Sequence, residues 1–319
     1  MKWVRLFERA AAFALRSWLF LGVLLRVTRM RDVWPGWPSV VFYSTPWPVI
    51  ASGFALLALH FWWSGQRRTM VRYGLFAGAA VFTWAATNWV WTPSRQVQPC
   101  DLRVVRWNVA LGEARMPRIV KWLRRQDADI IALAEADSDK QPMVDRWRAA
   151  FPDYRVDALG GEMVSLIRGK VLNEDEGTLA PRSFYGARRL SVRGHVMSLI
   201  QVDLYAGAYQ SRGPALTRLA DLTRARRGAP LIVLGDFNTP HDSAHLNEMR
   251  KLVKHAFKKA GRGFIETWPI PLPVHNLDQI WFGPELLPVR CETAWTTLSD
   301  HKPVIAEFTF APKSPVALR

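Results

Sequence analysis

The sequence predicts an α/β protein in which two packed sheets with outer helices follow a set of N-terminal transmembrane helices. Three observations carry this. Beyond residue 100, strand-like and helix-like segments alternate, but the strands are too numerous, and too often without crossovers, for a single doubly wound sheet. Several apolar strands end on Asn, Asp, Glu or His. The first 99 residues, by contrast, hold ten of the sixteen tryptophans and only two acids, Glu8 and Asp32.

The N-terminal part, residues 1–99, carries +9 of the net charge of +16. Basic side chains beside apolar runs suit lipid headgroups, so the charge says little about nucleic acid. Residues 46–63, PWPVIASGFALLALHFWW, together with the preceding VVFYST give 24 residues without a full charge, enough to cross a bilayer. After the break SGQRRTMVR, residues 73–91 form a second crossing segment. Trp62, Trp63, Trp89 and Trp91 fall at segment ends, where an aromatic belt lies. Residues 10–27 contain Arg16 within a shorter apolar run and read either as a third crossing helix or as an interfacial one. The expected partner of this region is a phospholipid bilayer. Arg67, Arg68 and Arg72 place the later domain outside if there are three spans, whereas Arg26, Arg29 and Arg31 place it inside if there are two.

Residues 100–310 read as one catalytic domain, and 311–319 as a loose tail. DLRVVRWNVA, residues 101–110, is a strand ending near Asn108. RMPRIVKWLRRQ is a helix with Ile119, Val120 and Leu123 inward. DIIALAE, residues 129–135, is a buried strand ending in Glu135. Residues 143–151 suggest a helix; EMVSLIRG and residues 195–204 suggest strands. GPALTRLADLTRARR is a basic amphipathic helix, and PLIVLGDFN, residues 230–238, a buried strand breaking into a polar turn. A helix around 244–260 follows, and LDQIWFG and VIAEFTF supply late strands. Cys100 and Cys291 form no motif and read as two unrelated thiols.

Asn108, Glu135, Asp236, Asn238, Asp278, Asp300 and His301 all stand at strand ends. A single one would pass as a cap or a turn residue, but seven point to a site. Glu135, with Asn108 and Asp300, supplies hard oxygen ligands for Mg²⁺ or Mn²⁺. His301 can accept a proton from water, and Asp278 can fix its tautomer. Asp236 can orient or deprotonate that water, and Asn238 can bind a phosphate oxygen. The expected substrate is a phosphate ester.

WNV at 107–109, LAEA at 133–136, GDFNTP at 235–240, LDQIW at 277–281 and SDHKP at 299–303 resemble the endonuclease/exonuclease/phosphatase superfamily, in its order and spacing. The resemblance implies a four-layer α/β sandwich of two mainly antiparallel sheets with outer helices, a site at one sheet edge, and the ligand and catalytic roles just given. One position departs from the pattern. Asp203 stands where many relatives carry a phosphate-binding His, so Tyr205, Tyr209 or Arg212 are candidates to replace that donor, and Asp203 itself is a candidate metal ligand. The layout of apolar segments before the hydrolase also resembles membrane-anchored bacterial members. That implies a multi-pass inner-membrane protein with its catalytic domain outside the cytoplasm. The expectation is a membrane-tethered, divalent-metal-dependent phosphoesterase. A DNase-like nuclease and a catalytically decayed membrane-anchored binding domain are the alternatives.

Overall fold

The structure is a computed structural model that describes residues 2–28, 30–92, 100–110, 113–136 and 141–312. The chain divides into two compact units.

The first unit comprises the N-terminal residues through Trp89, together with residues 207–213 and 242–245 from later in the sequence. It contains α1 (Lys2–Val27), α2 (Trp37–Ser44), α3 (Trp47–Trp63) and α4 (Arg67–Asn88). Leu19 of α1, Ile50, Phe54, Leu57 and Phe61 of α3, and Tyr73 and Ala80 of α4 bury one another. Gly53 permits the close approach of α1 and α3, since a Cβ there would lie 2.7 Å from the Leu19 side chain. Asp32 is buried and accepts hydrogen bonds from the Tyr43 hydroxyl, the Ser243 hydroxyl and the Ala244 amide. Residues 242–245 are thus a structural part of this unit, and residues 207–213 join it where the Gly36 amide donates to the Tyr209 carbonyl at 3.0 Å.

The structure corrects the reading of several membrane helices. Among the described residues, Ala10–Val27 is the one helix that is by itself long and apolar enough to cross a bilayer, although it is the segment whose sequence leaves two readings open. Segment 46–63 becomes a 17-residue helix, short of the ~20 residues a span requires. It meets α2 at an 80° bend around Pro46, so the uncharged run of 24 is two helices. Segment 73–91 belongs to a helix that begins at Arg67 and Arg68 and ends at Asn88, after which Trp89–Trp91 turn into a strand. A multi-pass arrangement is therefore not supported.

The second unit follows the predicted α/β order. Its elements are β1 (Trp89–Trp91), β2 (Leu102–Asn108), α5 (Met116–Arg124), β3 (Ile130–Ala134), α6 (Gln141–Ala150), β4 (Arg155–Leu159), β5 (Met163–Ile167), β6 (Lys170–Ala180) and β7 (Ser183–Val192). They continue with β8 (His195–Asp203), α7 (Gly213–Arg224), β9 (Leu231–Asp236), α8 (Asn247–Leu252), β10 (Lys254–His255), α9 (Ala256–Ala260), β11 (Arg262–Phe264), β12 (Asp278–Phe282), β13 (Leu286–Thr293) and β14 (Val304–Phe310). One sheet has the order β13-β14-β2-β3-β5-β4 and the other β10-β12-β9-β8-β7-β6, while β1 pairs with β11. Each six-stranded sheet is antiparallel except for one parallel pair, β2 with β3 and β8 with β9.

Strand alternation builds the layers. Leu102, Val104, Ile130 and Ala132 of one sheet meet Leu199, Ile232 and Leu234 of the other between the sheets. Val105, Trp107, Ile131 and Leu133 face outward onto Ile119 and Leu123 of α5 and Trp147 of α6. Ile200, Val202 and Val233 face Leu216 and Leu219 of α7 and Met249 of α8. Helix, sheet, sheet and helix give four layers. The helix expected around 244–260 is broken, because Lys254 and His255 leave it to pair with Phe282 and Trp281.

Candidate active site

The two sheets bring their polar strand ends together. Asn108 ends β2 and Glu135 directly follows β3, its neighbour. In the facing sheet Asp203 pairs with Asp236, and Asp236 with Asp278, so three carboxylates stand side by side on β8, β9 and β12. Gly235 makes this possible. Its φ is 153° and a Cβ there would lie 2.0 Å from the Val202 carbonyl oxygen, so the GDFN strand lies against β8 only with glycine at this position. Ala110, Glu135 and Asn238 adopt left-handed backbone, with φ of 40°, 48° and 44°. Strain of this kind collects where geometry serves a site, and here all three residues sit at its rim.

Hydrogen bonds tie the groups into one network. Asn108 Nδ2 donates to Glu135 Oε1 at 2.8 Å and to Asp236 Oδ2 at 3.0 Å. The Asn238 amide donates to Asp236 Oδ1 at 2.9 Å. His301 Nδ1 lies 2.8 Å from Asp278 Oδ2, and Thr267 Oγ1 accepts from the Asp278 amide. Ser299 Oγ donates to the Asn108 carbonyl at 2.8 Å and accepts from the His301 amide at 3.0 Å, which joins β2 to the loop before β14. Trp107 Nε1 donates to the His301 carbonyl at 2.9 Å.

Electrostatics then separates the acids. Burial pushes His301 down, but the charge and hydrogen bond of Asp278, aided by Asp236 and Asp300, outweigh it and raise its pKa to about 9. Burial likewise raises Asp278, yet His301 and Arg106 bring it below its ordinary value. Asp203 moves the other way. Burial, and then the neighbouring Asp236, push it well above the carboxylate range.

Two sets of donors suit a cation. Asp236, Asp278 and His301 offer ligand atoms within 4.8 Å of one another, but they are buried, His301 is already engaged by Asp278 and Asp236 by Asn108. Glu135 and Asp300 are exposed carboxylates, linked through Asn108 and Ser299. Their hard oxygens, open to solvent on one side, fit a divalent ion such as Mg²⁺ or Mn²⁺ better than a set that includes an engaged imidazole.

The remaining sequence-predicted residues are placed differently. Asn238 Nδ2 donates to the Leu204 carbonyl at 2.7 Å, so one of its donors bridges β8 and β9. Tyr205 is paired with Arg182, whose Nη1 donates to its hydroxyl at 3.0 Å. Tyr209 and Arg212 belong to the first unit, where Arg212 donates to the Gly207 carbonyl and lies over the Tyr43 ring. Cys100 and Cys291 are both free thiols.

Sequence reasoning missed Arg106, Thr267 and Trp268. Trp268 donates through Nε1 to Asp300 Oδ2 at 3.0 Å, and its ring lies 6.2 Å from that of His301. Arg106 was legible from strand parity, since Val104, Arg106 and Asn108 must share a face. Thr267 left no signal, because its role depends on a loop fold.

The sequence profile of the Endonuclease/Exonuclease/phosphatase family matches residues 107–301. No curated protein matches the chain significantly. Solved structures share its fold. An endonuclease/exonuclease/phosphatase family protein from Bacteroides thetaiotaomicron is 16% identical with a TM-score of 0.57, covering 68% of this chain and 100% of that one. A mannosyl-6-phosphatase from the same organism is 17% identical with a TM-score of 0.54, covering 66% and 100%. D. rerio TDP2, solved with a single-strand DNA product, is 15% identical with a TM-score of 0.53, covering 65% and 98%.

Proposed function

The chain belongs to the endonuclease/exonuclease/phosphatase family, and from that premise we propose that it is a divalent-metal-dependent phosphoric ester hydrolase acting by attack of an activated water. The observation that carries the reading is the Asp278–His301 pair, buried beside Asp236, with Glu135 and Asp300 at the open edge.

Glu135, Asn108 and Asp300 would hold the ion, Mg²⁺ or Mn²⁺. Once bound, such an ion neutralises phosphate charge and stabilises a leaving alkoxide. His301, with a pKa of about 9, is an imidazolium near neutral pH, and Asp278 occupies its Nδ1. Its Nε2–H therefore donates to a phosphoryl oxygen. The proton of the attacking water then goes to Asp236, whose two oxygens are fixed by Asn108 and by the Asn238 amide. The assignment of the base thus moves from His301, as the sequence suggests, to Asp236.

Asp203 stands at the place of the family's usual His, and its raised pKa favours the protonated form that can donate a second hydrogen bond. Asp203→Asn keeps a donor there and is expected to hold kcat within about fivefold of wild type, whereas Asp203→Ala is expected to lose about tenfold or more. Steady-state kinetics with a generic phosphodiester separate the two.

The direct test is turnover of phosphomonoesters, bis-phosphodiesters, phospholipids and plasmid DNA, with Mg²⁺ and with EDTA, by the wild type and His301→Ala. Metal-dependent turnover lost in the variant supports the reading. No turnover across the panel would leave a binding domain. Preferential cleavage of plasmid DNA would favour the nuclease alternative.

Association with a bilayer through α1 is part of the same proposal. It is supported by the span-length helix Ala10–Val27 and by exposed Trp3, Phe7, Phe13, Trp62, Trp63 and Phe82 in the first unit. The protein is expected to stay in the membrane pellet after alkaline carbonate extraction and to be released when Leu19 and Leu21–Leu25 are made polar. Recovery of the wild type in the supernatant would remove the anchor. A reporter fused after residue 319 tests the proposed extracytoplasmic side.

A further inference from the structure

Arg106 is fully buried, two residues before Asn108, on the inter-sheet face of β2 that also carries Val104. Across from it stand Asp203, Asp236 and Asp278, paired strand to strand. Adjacent strands are ~4.8 Å apart, so Asp236 and Asp278, both fully buried, repel one another strongly, and Asp203 adds to the row at its partly exposed end. Arg106 Nη2 lies 3.3 Å from Asp278 Oδ1 and 3.9 Å from Asp236 Oδ2. Its hydrogen bonding is poor. Nη1 reaches the Ala132 carbonyl only at 3.5 Å, and Nε has no partner among the described residues. A buried guanidinium with so few hydrogen bonds is a costly way to fill a core, and a methionine would pack as well. Its charge, not its packing, accounts for it.

We propose that Arg106 is a positioning residue, an internal counter-cation that holds Asp278 against His301 and Asp236 toward the attacking water. The proposal rests on the hydrolase reading for its effect on rate, but its electrostatic part is independent of turnover. Removing a cation from an acidic cluster makes the cluster bind another cation more tightly. A residue with a merely structural role would not do this.

The test uses the full chain with Arg106→Met and Arg106→Lys. Arg106→Met is expected to melt near the wild type or above it. It should bind Mn²⁺, followed by electron paramagnetic resonance, roughly fivefold or more tightly. Its kcat should fall about thirtyfold or more with KM within about threefold, and Arg106→Lys should recover most of that loss. Mn²⁺ binding that is unchanged or weaker in Arg106→Met overturns the proposal. So does a kcat within about threefold of wild type, or a Lys variant no better than the Met variant. If the Met variant does not fold, Arg106→Gln is judged by the same criteria. A wild type that turns over no phosphoester defeats the hydrolase reading alone, and the Mn²⁺ arm still decides the role of Arg106.

Discussion

His301→Ala is expected to lower kcat about a thousandfold or more while leaving KM nearly unchanged. The side chain is buried, fixed through Nδ1 by Asp278 and held at its carbonyl by Trp107, so alanine removes the group without freeing the loop. The pH profile separates two roles. With a pKa raised to about 9, the imidazolium is the form present at neutral pH. If it acts as a donor, kcat/KM falls as pH rises through that value, or somewhat below it once a cation sits beside Asp300. If it acted as a base, the rate would climb over the same range, and that result would sink the donor assignment. Stability follows the same pair. A group whose folded pKa is raised contributes fully below its unfolded value of 6.5 and loses that contribution as pH rises through about 9. Asp278, lowered on folding, contributes above the ordinary carboxylate value of 3.8 and loses its share as pH falls. In EDTA, the melting temperature should therefore be highest between these limits and decline toward alkaline pH. Each tenfold change in proton affinity is worth ~1.4 kcal/mol, so the alkaline loss amounts to about a few kcal/mol, shared by the pair. His301→Ala should flatten that alkaline decline.

How far this site could be read in the sequence depended on whether residues met through strands or through loops. Asp236, Asp278 and Asn108 lie at the ends of strands whose apolar runs are plain, so position at the strand ends foretold that they converge. The His301 partnership with Asp278 spans a loop, and the sequence offered it only through the chemistry an imidazole needs from a carboxylate, with the family resemblance in agreement. The hairpin of β6 and β7 was invisible, because most of β6, KVLNEDEGTLA, is exposed and highly charged and so shows no apolar alternation. Such charge suits an edge strand, which β6 is in its sheet. The membrane helices failed for a different reason. Composition measures apolarity along the chain, but Pro46 and the charged start of α4 set where helices bend and begin. The fusion of residues 207–213 and 242–245 into the first unit could not be read at all, since it rests on contacts of Asp32 with Ser243 and Ala244 and of Gly36 with Tyr209, all far apart in sequence.

Glu135→Gln is expected to raise the Mg²⁺ concentration needed for half-maximal activity by about a hundredfold, equivalent to ~2.8 kcal/mol of binding. The substitution is gentle on the fold. Glu135 is exposed, and a glutamine oxygen can still accept the 2.8 Å bond from Asn108 Nδ2, so the strained turn at φ 48° keeps its tether. What is lost is one full negative charge at the open edge, and a hard dication depends on that charge more than on a neutral amide oxygen. Asp236→Asn provides the contrast. Asp236 is 1% exposed and lies between Asn108 and Arg106, so its loss should lower kcat about a thousandfold while raising the metal requirement only about fivefold, far less than the shift at Glu135. The two variants thus decide between the two donor sets. If the ion instead sits among Asp236, Asp278 and His301, whose ligand atoms are close enough to hold one, the pattern inverts. Asp236→Asn would then shift the metal dependence and Glu135→Gln would not. A metal titration of both variants, read by activity and by Mn²⁺ binding, therefore locates the cation without requiring the substrate to be known.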